Sequence, residues 1–243
     1  MTIEFRPPYA GEIGQLRSLF TEAFADADFT DLFFREGFSP DRCLVAAEGS
    51  ILAALHWFDC VLDRQKAAYI YGIASFETHR GRGIGSRLIR AALAHLMQES
   101  YGPIFLVPAE ESLFGYYERF GFRAVSSIRE RTVAAGDPLP IRRLSAAEYA
   151  ELRRKHLPAH SLLQEGRCLN LFSGYAGFYA AEHAVAAVTD NMVWELLGDE
   201  TETPGLLAAL GIPEATVRTP GDGRPFAMGI GTDQPIYLGL AFD

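Results

Sequence analysis

One segment of the chain, residues 67–97, constrains the fold more than any other. It begins with an apolar run, passes through a turn with glycines at alternate positions, and ends in a run whose apolar residues recur every three or four positions. The first run is typical of a buried strand and the last of an amphipathic helix, because helical spacing places its apolar residues on one face. The sequence therefore predicts a strand that enters a helix through a glycine-rich turn. The apolar positions of the helix are Ile84, Leu88, Ile89, Ala92, Leu93, Leu96 and Met97.

The glycine-rich turn has the chemistry of an anion site. Because Gly81, Gly83 and Gly85 lack Cβ atoms, the main-chain N–H groups of residues 81–86 can converge at the start of the helix, where the helix dipole favours negative charge. Nearby arginines add positive charge, which suits a pyrophosphate better than a carboxylate. An ordinary strand-to-helix turn is the alternative that the spacing leaves open. The pattern matches neither GxxxxGK[ST] nor GxGxxG, so ATP and NAD sites are not expected.

Two prolines and a glycine within residues 134–140 mark the strongest break in the chain. We expect one domain over residues 1–135 and a second lobe over residues 141–243. Periodicity in the first domain predicts the order β-α-α-β-β-β-α-β-α-β. The predicted strands are residues 3–6, 43–48, 51–62, 66–75, 104–107 and 122–133, and the predicted helices are residues 13–24, 29–38, 84–97 and 111–120.

The second lobe has no glycine-rich loop before a long helix, so we do not expect it to hold a second anion site of this kind. It is predicted to be a smaller α+β unit, with a hairpin connection at residues 219–225. Residues 46–54 and 180–187 are similar alanine-rich stretches, which a diverged internal copy and chance explain equally well. The predicted strands are residues 169–172, 178–189, 192–197, 215–219, 225–230 and 236–242, and the predicted helices are residues 145–155 and 203–210.

Composition and charge disfavour several classes of protein. A formal net charge of -9 disfavours nucleic-acid binding and favours a cationic or neutral small partner. Cys43, Cys60 and Cys168 are odd in number and lack CxxC spacing, so we expect neither disulfides nor a metal site. No apolar run reaches the length of about 18 residues that a membrane span needs, and the N-terminus lacks signal-peptide features. A cytoplasmic protein without membrane contact is expected.

Two motifs resemble a known family. Residues 80–85, Arg-Gly-Arg-Gly-Ile-Gly, look like the R/Q-x-x-G-x-G/A acetyl-CoA loop of the GNAT acetyltransferases, and residues 111–122 are similar to that family's late helix, which ends in F-Y-E-K-L-G-F. The motifs occur in the family's order, about 30 residues apart, and the resemblance covers about residues 3–133. It implies an α+β fold with a mixed, mostly antiparallel sheet flanked by helices, and acetyl-CoA as co-substrate.

The resemblance also implies roles for single residues. Main-chain groups at residues 73–75 would pair with the pantetheine arm of acetyl-CoA in the manner of an added strand. Tyr117 would be the general acid that protonates the CoA thiolate. Glu77 is a candidate general base, with His79 or a water relay as alternatives, and the carboxylates of Asp243 are candidates for amine binding or deprotonation. The cofactor-binding residues would be Ile73, Ala74, Ser75, Arg80, Gly81, Arg82, Gly83, Ile84, Gly85 and Ser86.

The sequence thus predicts an N-acetyltransferase that moves an acetyl group from acetyl-CoA to the amine of a small molecule or peptide. Direct attack by the amine is expected, because no G-x-S-x-G elbow indicates a covalent acyl-enzyme. A CoA-sensing module without turnover and an enzyme for longer acyl groups are the alternatives. We expect the second lobe, whether or not it is a degenerate copy of the first, to shape the acceptor pocket. The acceptor and the oligomeric state, a homodimer included, are left open by the sequence.

Overall fold

The computed structural model describes residues 2–241, which form two lobes, each built on a seven-stranded sheet. The strands are β1 (Glu4–Arg6), β2 (Cys43–Ala47), β3 (Ile51–Leu62), β4 (Gln65–Ser75), β5 (Ile104–Leu106), β6 (Arg123–Ala124), β7 (Ser127–Ala134), β8 (Arg142–Leu144), β9 (Gly177–Ala180), β10 (Ala184–Val188), β11 (Met192–Gly198), β12 (Glu214–Pro220), β13 (Arg224–Pro225) and β14 (Met228–Ile230). The helices are α1 (Ile13–Phe24), α2 (Ala27–Leu32), α3 (Ile84–Gln98), α4 (Phe114–Glu118), α5 (Ala146–His156), α6 (Arg167–Tyr175) and α7 (Thr203–Ala209).

The first sheet has the strand order β1-β2-β3-β4-β5-β14-β6. β4 and β5 run parallel because α3 connects them, whereas the other neighbours are antiparallel. Leu88 and Ile89 of α3 pack on one face of this sheet, and Leu16 and Phe20 of α1 pack on the other. The predicted α+β fold, with a mixed and mostly antiparallel sheet flanked by helices, is confirmed.

The second sheet repeats this arrangement, in the order β8-β9-β10-β11-β12-β7-β13. Its parallel pair is β11 and β12, which α7 connects as α3 connects β4 and β5. The similar alanine-rich stretches, residues 46–54 and 180–187, include the hairpin turns of corresponding strand pairs, β2–β3 and β9–β10. The two lobes therefore share one topology, as an internal copy predicts.

The two sheets exchange one strand each. β7 precedes the linker at residues 135–141 yet lies in the second sheet, whereas β14, near the end of the chain, lies in the first sheet between β5 and β6. The prediction of one first-lobe strand over residues 122–133 was therefore wrong. Val125 and Ser126 both donate main-chain hydrogen bonds to the Ala227 carbonyl, at 3.0 and 3.2 Å, and from there the chain crosses to the other sheet. A domain boundary at residue 135 stays a prediction, but each sheet takes a strand from the other side of it.

Several predicted strands of the second lobe take another form. Residues 169–172 lie in α6, because a short apolar run can form a buried helix face as readily as a strand. Residues 219–225 form no hairpin, since β12 and β13 pair with opposite edges of β7. Residues 236–241 are buried, but within the described part of the chain they form only an isolated bridge, between Ser161 and Tyr237. Phe242 lies outside the described residues.

The largest hydrophobic core lies between the lobes. It joins Phe20 and Phe33 of the first lobe to Phe172 of the second and to Leu240. The side-chain amide of Gln164 fixes the segment that contains Leu240, because Leu240 N donates to Gln164 Oε1 at 3.1 Å and Gln164 Nε2 donates to the Leu240 carbonyl. Within residues 2–241, no helix has the length and hydropathy that crossing a bilayer would require.

A fully buried ion pair fastens α5 to the second sheet. Arg153 Nε donates to Glu195 Oε2 at 2.6 Å, and Arg153 Nη2 donates to Glu195 Oε1 at 2.9 Å. The hydroxyls of Tyr149 and Tyr237 donate to the same carboxylate at 2.8 and 3.1 Å. The charge of Glu195 is thus balanced by one guanidinium, two neutral phenols donate further hydrogen bonds to it, and the carboxylate is buried from water.

We expect Arg153→Met to lower the free energy of unfolding by about 3–5 kcal/mol, because it leaves the Glu195 carboxylate buried without a counter-charge. Equilibrium denaturation in urea measures this loss. The double variant R153M/E195L buries no charge and should be more stable than the single variant. A loss below about 1 kcal/mol in Arg153→Met, the range of an exposed pair, would show that this ion pair is not buried in solution.

Candidate active site

β4 presents an unpaired main-chain edge where it runs past the end of β5. The two strands pair only from Ala68 with Ile104 to Ile70 with Leu106, whereas β4 continues to Ser75. Phe76 N donates to the Leu52 carbonyl of β3, and main-chain groups alternate in direction along a strand. The N–H and C=O groups of Ile73 and Ser75 therefore point away from β3, toward the gap beyond β5, whereas those of Ala74 point toward β3.

A bulge in β4 lies at the start of this gap. Gly72 has a φ of 64°, and the pairing of β3 with β4 shifts register between Ala54 and His56. A Cβ at Gly72 would lie 2.7 Å from the ring of Phe20, so only glycine fits both the backbone and the packing. Bulges bend the strand that carries them, and β5 pairs with β4 only before the bulge. The local sequence thus opens a slot between two parallel strands.

The glycine-rich turn leads from this edge into α3, as predicted. Gly81 and Gly83 have φ values of 75° and 69°, and a Cβ at either position would meet no atom within 4 Å. The first helical hydrogen bond runs from Arg87 N to the Gly83 carbonyl, at 3.2 Å. The N–H groups just before Arg87 therefore have no helical acceptor, and the turn at residues 81–83 that leads into them is exposed. This is the geometry of an anion cradle at a helix N-terminus.

Arginines surround the cradle, although the chain as a whole is acidic. Arg80 Nε donates to the Ser75 carbonyl at 3.2 Å, which ties the turn to the end of β4. Arg82 is exposed and has neither a hydrogen bond nor an ion pair with another described residue. Arg87, Arg90 and Arg119 lie over aromatic rings on the same surface, at 5.2, 5.1 and 4.7 Å from the ring centroids. A ligand with several phosphates would find concentrated positive charge here.

α4 brings Tyr116 to the cradle and buries Tyr117 beside it. The Tyr116 hydroxyl lies 3.1 Å from Ser86 Oγ in the first turn of α3, a contact that the sequence analysis missed because the two residues are 30 positions apart. The Tyr117 ring is buried and lies edge-on to Tyr116 and Phe122, with centroids 5.2 and 6.1 Å away. Burial raises the pKa of Tyr117 to about 12, so the phenol stays protonated at neutral pH.

The candidate general bases are Glu77, His79 and Asp243. Glu77 is more exposed than the tyrosines of α4. Glu77 is exposed in the 3-10 turn Glu77–His79, and its main-chain N–H donates to Glu22 Oε1 at 2.6 Å, which brings a second carboxylate next to it. Thr78 Oγ1 and His79 Nδ1 lie 2.8 Å apart. Asp243 lies outside the described residues. The structure thus places Glu77 two residues after β4, between that strand and the glycine-rich turn.

Comparison with known proteins agrees with this geometry. A family model described as an acetyltransferase (GNAT) domain matches residues 4–125. A GCN5-related N-acetyltransferase from Kribbella flavida is 16% identical with a TM-score of 0.69, and the match covers 94% of this chain and 70% of that one. A GCN5-related N-acetyltransferase from Anabaena variabilis is 12% identical with a TM-score of 0.71, covering 94% and 72%. Eis1 from Mycobacterium abscessus is 15% identical with a TM-score of 0.67, covering 91% and 67%. A search of curated sequences finds no match.

These structural matches extend over both lobes, because each covers more than nine-tenths of the chain. At such low identity they establish the fold and leave the acceptor open. The resemblance inferred from the two motifs is confirmed by the family model over residues 4–125, and the second lobe shares the fold of these structures.

Proposed function

Because the chain belongs to the GNAT acetyltransferase family, we propose that it transfers an acetyl group from acetyl-CoA to the amine of a small molecule or peptide. The observation that carries this proposal is the continuity of three features: the unpaired edge of β4, the glycine cradle of α3, and the buried Tyr117 of α4. Together they fit a linear thiol cofactor that ends in a pyrophosphate, whose reactive end would lie in the slot between β4 and β5.

In this proposal the cofactor is held by main-chain groups. Ile73 and Ser75 would bond to the pantetheine amides, with Ala74 between them packing in the strand. The amides of Gly81, Arg82, Gly83, Ile84, Gly85 and Ser86 would hold the pyrophosphate, and the Arg80 side chain would keep the turn in place. Because hydrogen bonds from amides on a rigid helix end need no reorganisation, the thioester carbonyl would be presented to the acceptor in a fixed orientation.

Tyr117 is proposed as the general acid. The amine attacks the thioester carbonyl, and the tetrahedral intermediate collapses as the C–S bond breaks and the phenol proton passes to the leaving thiolate. A free phenol and a free thiol have pKa values of about 10 and about 8.5. With the pKa of Tyr117 at about 12, the transfer is uphill by about 5 kcal/mol if the thiol keeps its free value, and by about 2 kcal/mol if the slot penalises the thiolate as much as the phenolate. Glu77 or the side-chain carboxylate of Asp243 is proposed to take the proton that the amine loses.

We expect Tyr117→Phe to lower kcat by about 10- to 1000-fold while leaving the KM for acetyl-CoA little changed, because the ring still packs but the proton donor is lost. Tyr116→Phe is the matched control on the same helix turn. It removes only the contact with Ser86 and should change kcat far less. If Tyr117→Phe turned over at a near-normal rate, water or another side chain would have to be the acid.

The proposed function is tested by thiol release from acetyl-CoA in the presence of a panel of amines. Amine-dependent release supports acetyl transfer. Tight CoA binding with no release above hydrolysis, for any amine, would point instead to a CoA-sensing module. Faster thiol release from longer acyl-CoA thioesters would show that the donor is a longer acyl-CoA. The proposed mechanism would then be unchanged.

A further inference from the structure

Arginines without an ion pair are concentrated around the glycine cradle of α3. Within residues 2–241, most arginines form an ion pair with a carboxylate, and eight do not. Five of these eight lie in the turn before α3, on α3 itself or directly after α4, although the formal net charge of the chain is -9. Because like charges repel, such a cluster in an acidic protein indicates an anionic ligand with several charges. The five are Arg80, Arg82, Arg87, Arg90 and Arg119.

The main-chain amides of the cradle can bind only one part of such a ligand. The first helical hydrogen bond of α3 runs from Arg87 N to the Gly83 carbonyl, so the free N–H groups end at residue 86. Arg90 lies almost one turn further along α3, where the main-chain N–H groups are used within the helix. A ligand group beside Arg90 would therefore meet side chains only, and it would be bound separately from the pyrophosphate.

Ser86, the last residue of the cradle, leads to two of these arginines by separate routes. Ser86 and Arg90 are four residues apart on α3, so their side chains lie on one face of the helix. The Tyr116 hydroxyl lies 3.1 Å from Ser86 Oγ, and the guanidinium carbon of Arg119 lies 4.7 Å from the centroid of the same tyrosine ring. Arg90 lies over the Phe120 ring, at 5.1 Å, and the rings of Tyr116 and Phe120 are 5.2 Å apart. The two guanidinium groups therefore lie over neighbouring rings, next to the end of the cradle.

The charges of Arg90 and Arg119 are not balanced by a neighbouring carboxylate. Both side chains are exposed, and Arg119 Nε donates only to the Tyr116 carbonyl, at 3.4 Å. The exposed Glu118 precedes Arg119 in the chain but forms no ion pair with either arginine, and successive residues of a helix point about 100° apart. Contact with an aromatic face restricts each guanidinium while its N–H groups remain available at the edge of the plane. The pair is thus arranged to receive a second anionic group.

Resting on the proposed function, we infer that Arg90 and Arg119 bind the phosphate on the 3′ carbon of the cofactor's ribose, and that they select donors that carry this third phosphate. In coenzyme A the pyrophosphate is joined to this ribose, so the 3′-phosphate follows the pyrophosphate within one sugar ring. A phosphate monoester carries about two negative charges near neutral pH, and a guanidinium can donate two parallel hydrogen bonds to it. A thioester donor without the 3′-phosphate would leave both arginines unpaired, which selects against it.

The test is calorimetric titration of the full chain with acetyl-CoA and with acetyl-3′-dephospho-CoA at an ionic strength of about 0.15 M, where charges more than about 8 Å apart are largely screened. We expect the wild type to bind acetyl-CoA more tightly than the dephospho compound by about tenfold or more. The double variant R90Q/R119Q should bind acetyl-CoA as weakly as the dephospho compound. Its affinity for the dephospho compound should equal that of the wild type, which shows that the fold and the cradle are intact.

The matched control is R64Q/R143Q, which removes two exposed arginines without ion pairs outside this region and changes the net charge equally. It should bind both ligands as the wild type does. A loss of acetyl-CoA affinity in this control that equals the loss in R90Q/R119Q would overturn the inference, because net charge alone would then explain the effect.

Equal wild-type affinity for the two ligands would overturn the inference and leave the proposed cofactor site in place. An equal loss for both ligands in R90Q/R119Q would also overturn it, because the arginines would then support the site as a whole. A wild type that binds neither ligand would refute the proposed function too. Discrimination that depends on the two arginines, in a protein that acetylates no amine, would leave this subsite standing and refute acetyl transfer.

Discussion

A fragment that ends at Ala135 is expected to be insoluble or to unfold without a cooperative transition. It would lack β14, which pairs with β5 and with β6, so the sheet would lose the strand that joins its last two members. It would keep β7, whose partners β12 and β13 would be missing. An unpaired strand and an opened sheet edge both favour aggregation. The fragment would also expose the half of the shared core that faces Leu240 and Phe172.

The control is the full chain cut in the linker. A protease site inserted between Asp137 and Pro138 leaves all strands present, so the cleaved protein should remain folded, and its two halves should stay together on size-exclusion chromatography. Circular dichroism on heating compares both proteins with the intact chain. A soluble fragment 1–135 with a cooperative melt, or with amine turnover, would show that the first lobe is complete without the second.

The second large effect is expected at the cradle, where Gly83→Asp should weaken acetyl-CoA binding by at least 100-fold. The new carboxylate would lie at the N-terminus of α3, among the main-chain amides that are proposed to hold the pyrophosphate. Two like charges about 4 Å apart repel by about 4 kcal/mol near a protein surface, more than the free energy of a 100-fold change in affinity. The fold should survive, because a Cβ at this position meets no atom within 4 Å and aspartate tolerates left-handed backbone better than most residues.

Gly211→Asp is the matched control for Gly83→Asp. Gly211 also has a left-handed backbone, with a φ of 72°, and open space around its Cβ, but it lies in the second lobe after α7. It carries the same strain and the same added charge away from the cradle. Calorimetry should give it wild-type affinity for acetyl-CoA. If Gly83→Asp bound acetyl-CoA as tightly as Gly211→Asp, the loop at residues 81–86 would not be the cofactor site.

The parts of the fold that follow from local pattern could be predicted from the sequence. The run from β4 through the glycine turn to α3 is encoded by apolar spacing and by glycines that the backbone needs at positive φ. The strand exchange could not be predicted in the same way. Ile128, Thr132 and Val133 favour an extended conformation for Ser127–Ala134, but such a local preference does not say which sheet the strand joins.

The candidate site divides in the same way: its parts that are continuous in sequence could be predicted, and its parts that depend on packing could not. The cradle is continuous in sequence, and the motif that contains Tyr117 spans only residues 111–122, so both could be located before the structure was known. The contact of Tyr116 with Ser86 depends on how separate elements pack. That the second lobe shapes the acceptor pocket stays a prediction.

The central claim is that acetyl-CoA bound at the loop of residues 81–86 gives its acetyl group to an amine. The most direct measurement is mass spectrometry of the products after the wild type, Gly83→Asp and Gly211→Asp are each incubated with acetyl-CoA and an amine. The account predicts N-acetylated amine and CoA in equal amounts from the wild type and from Gly211→Asp, and neither above background from Gly83→Asp. Free acetate with no acetylated amine from the wild type, or equal product from all three proteins, would contradict it.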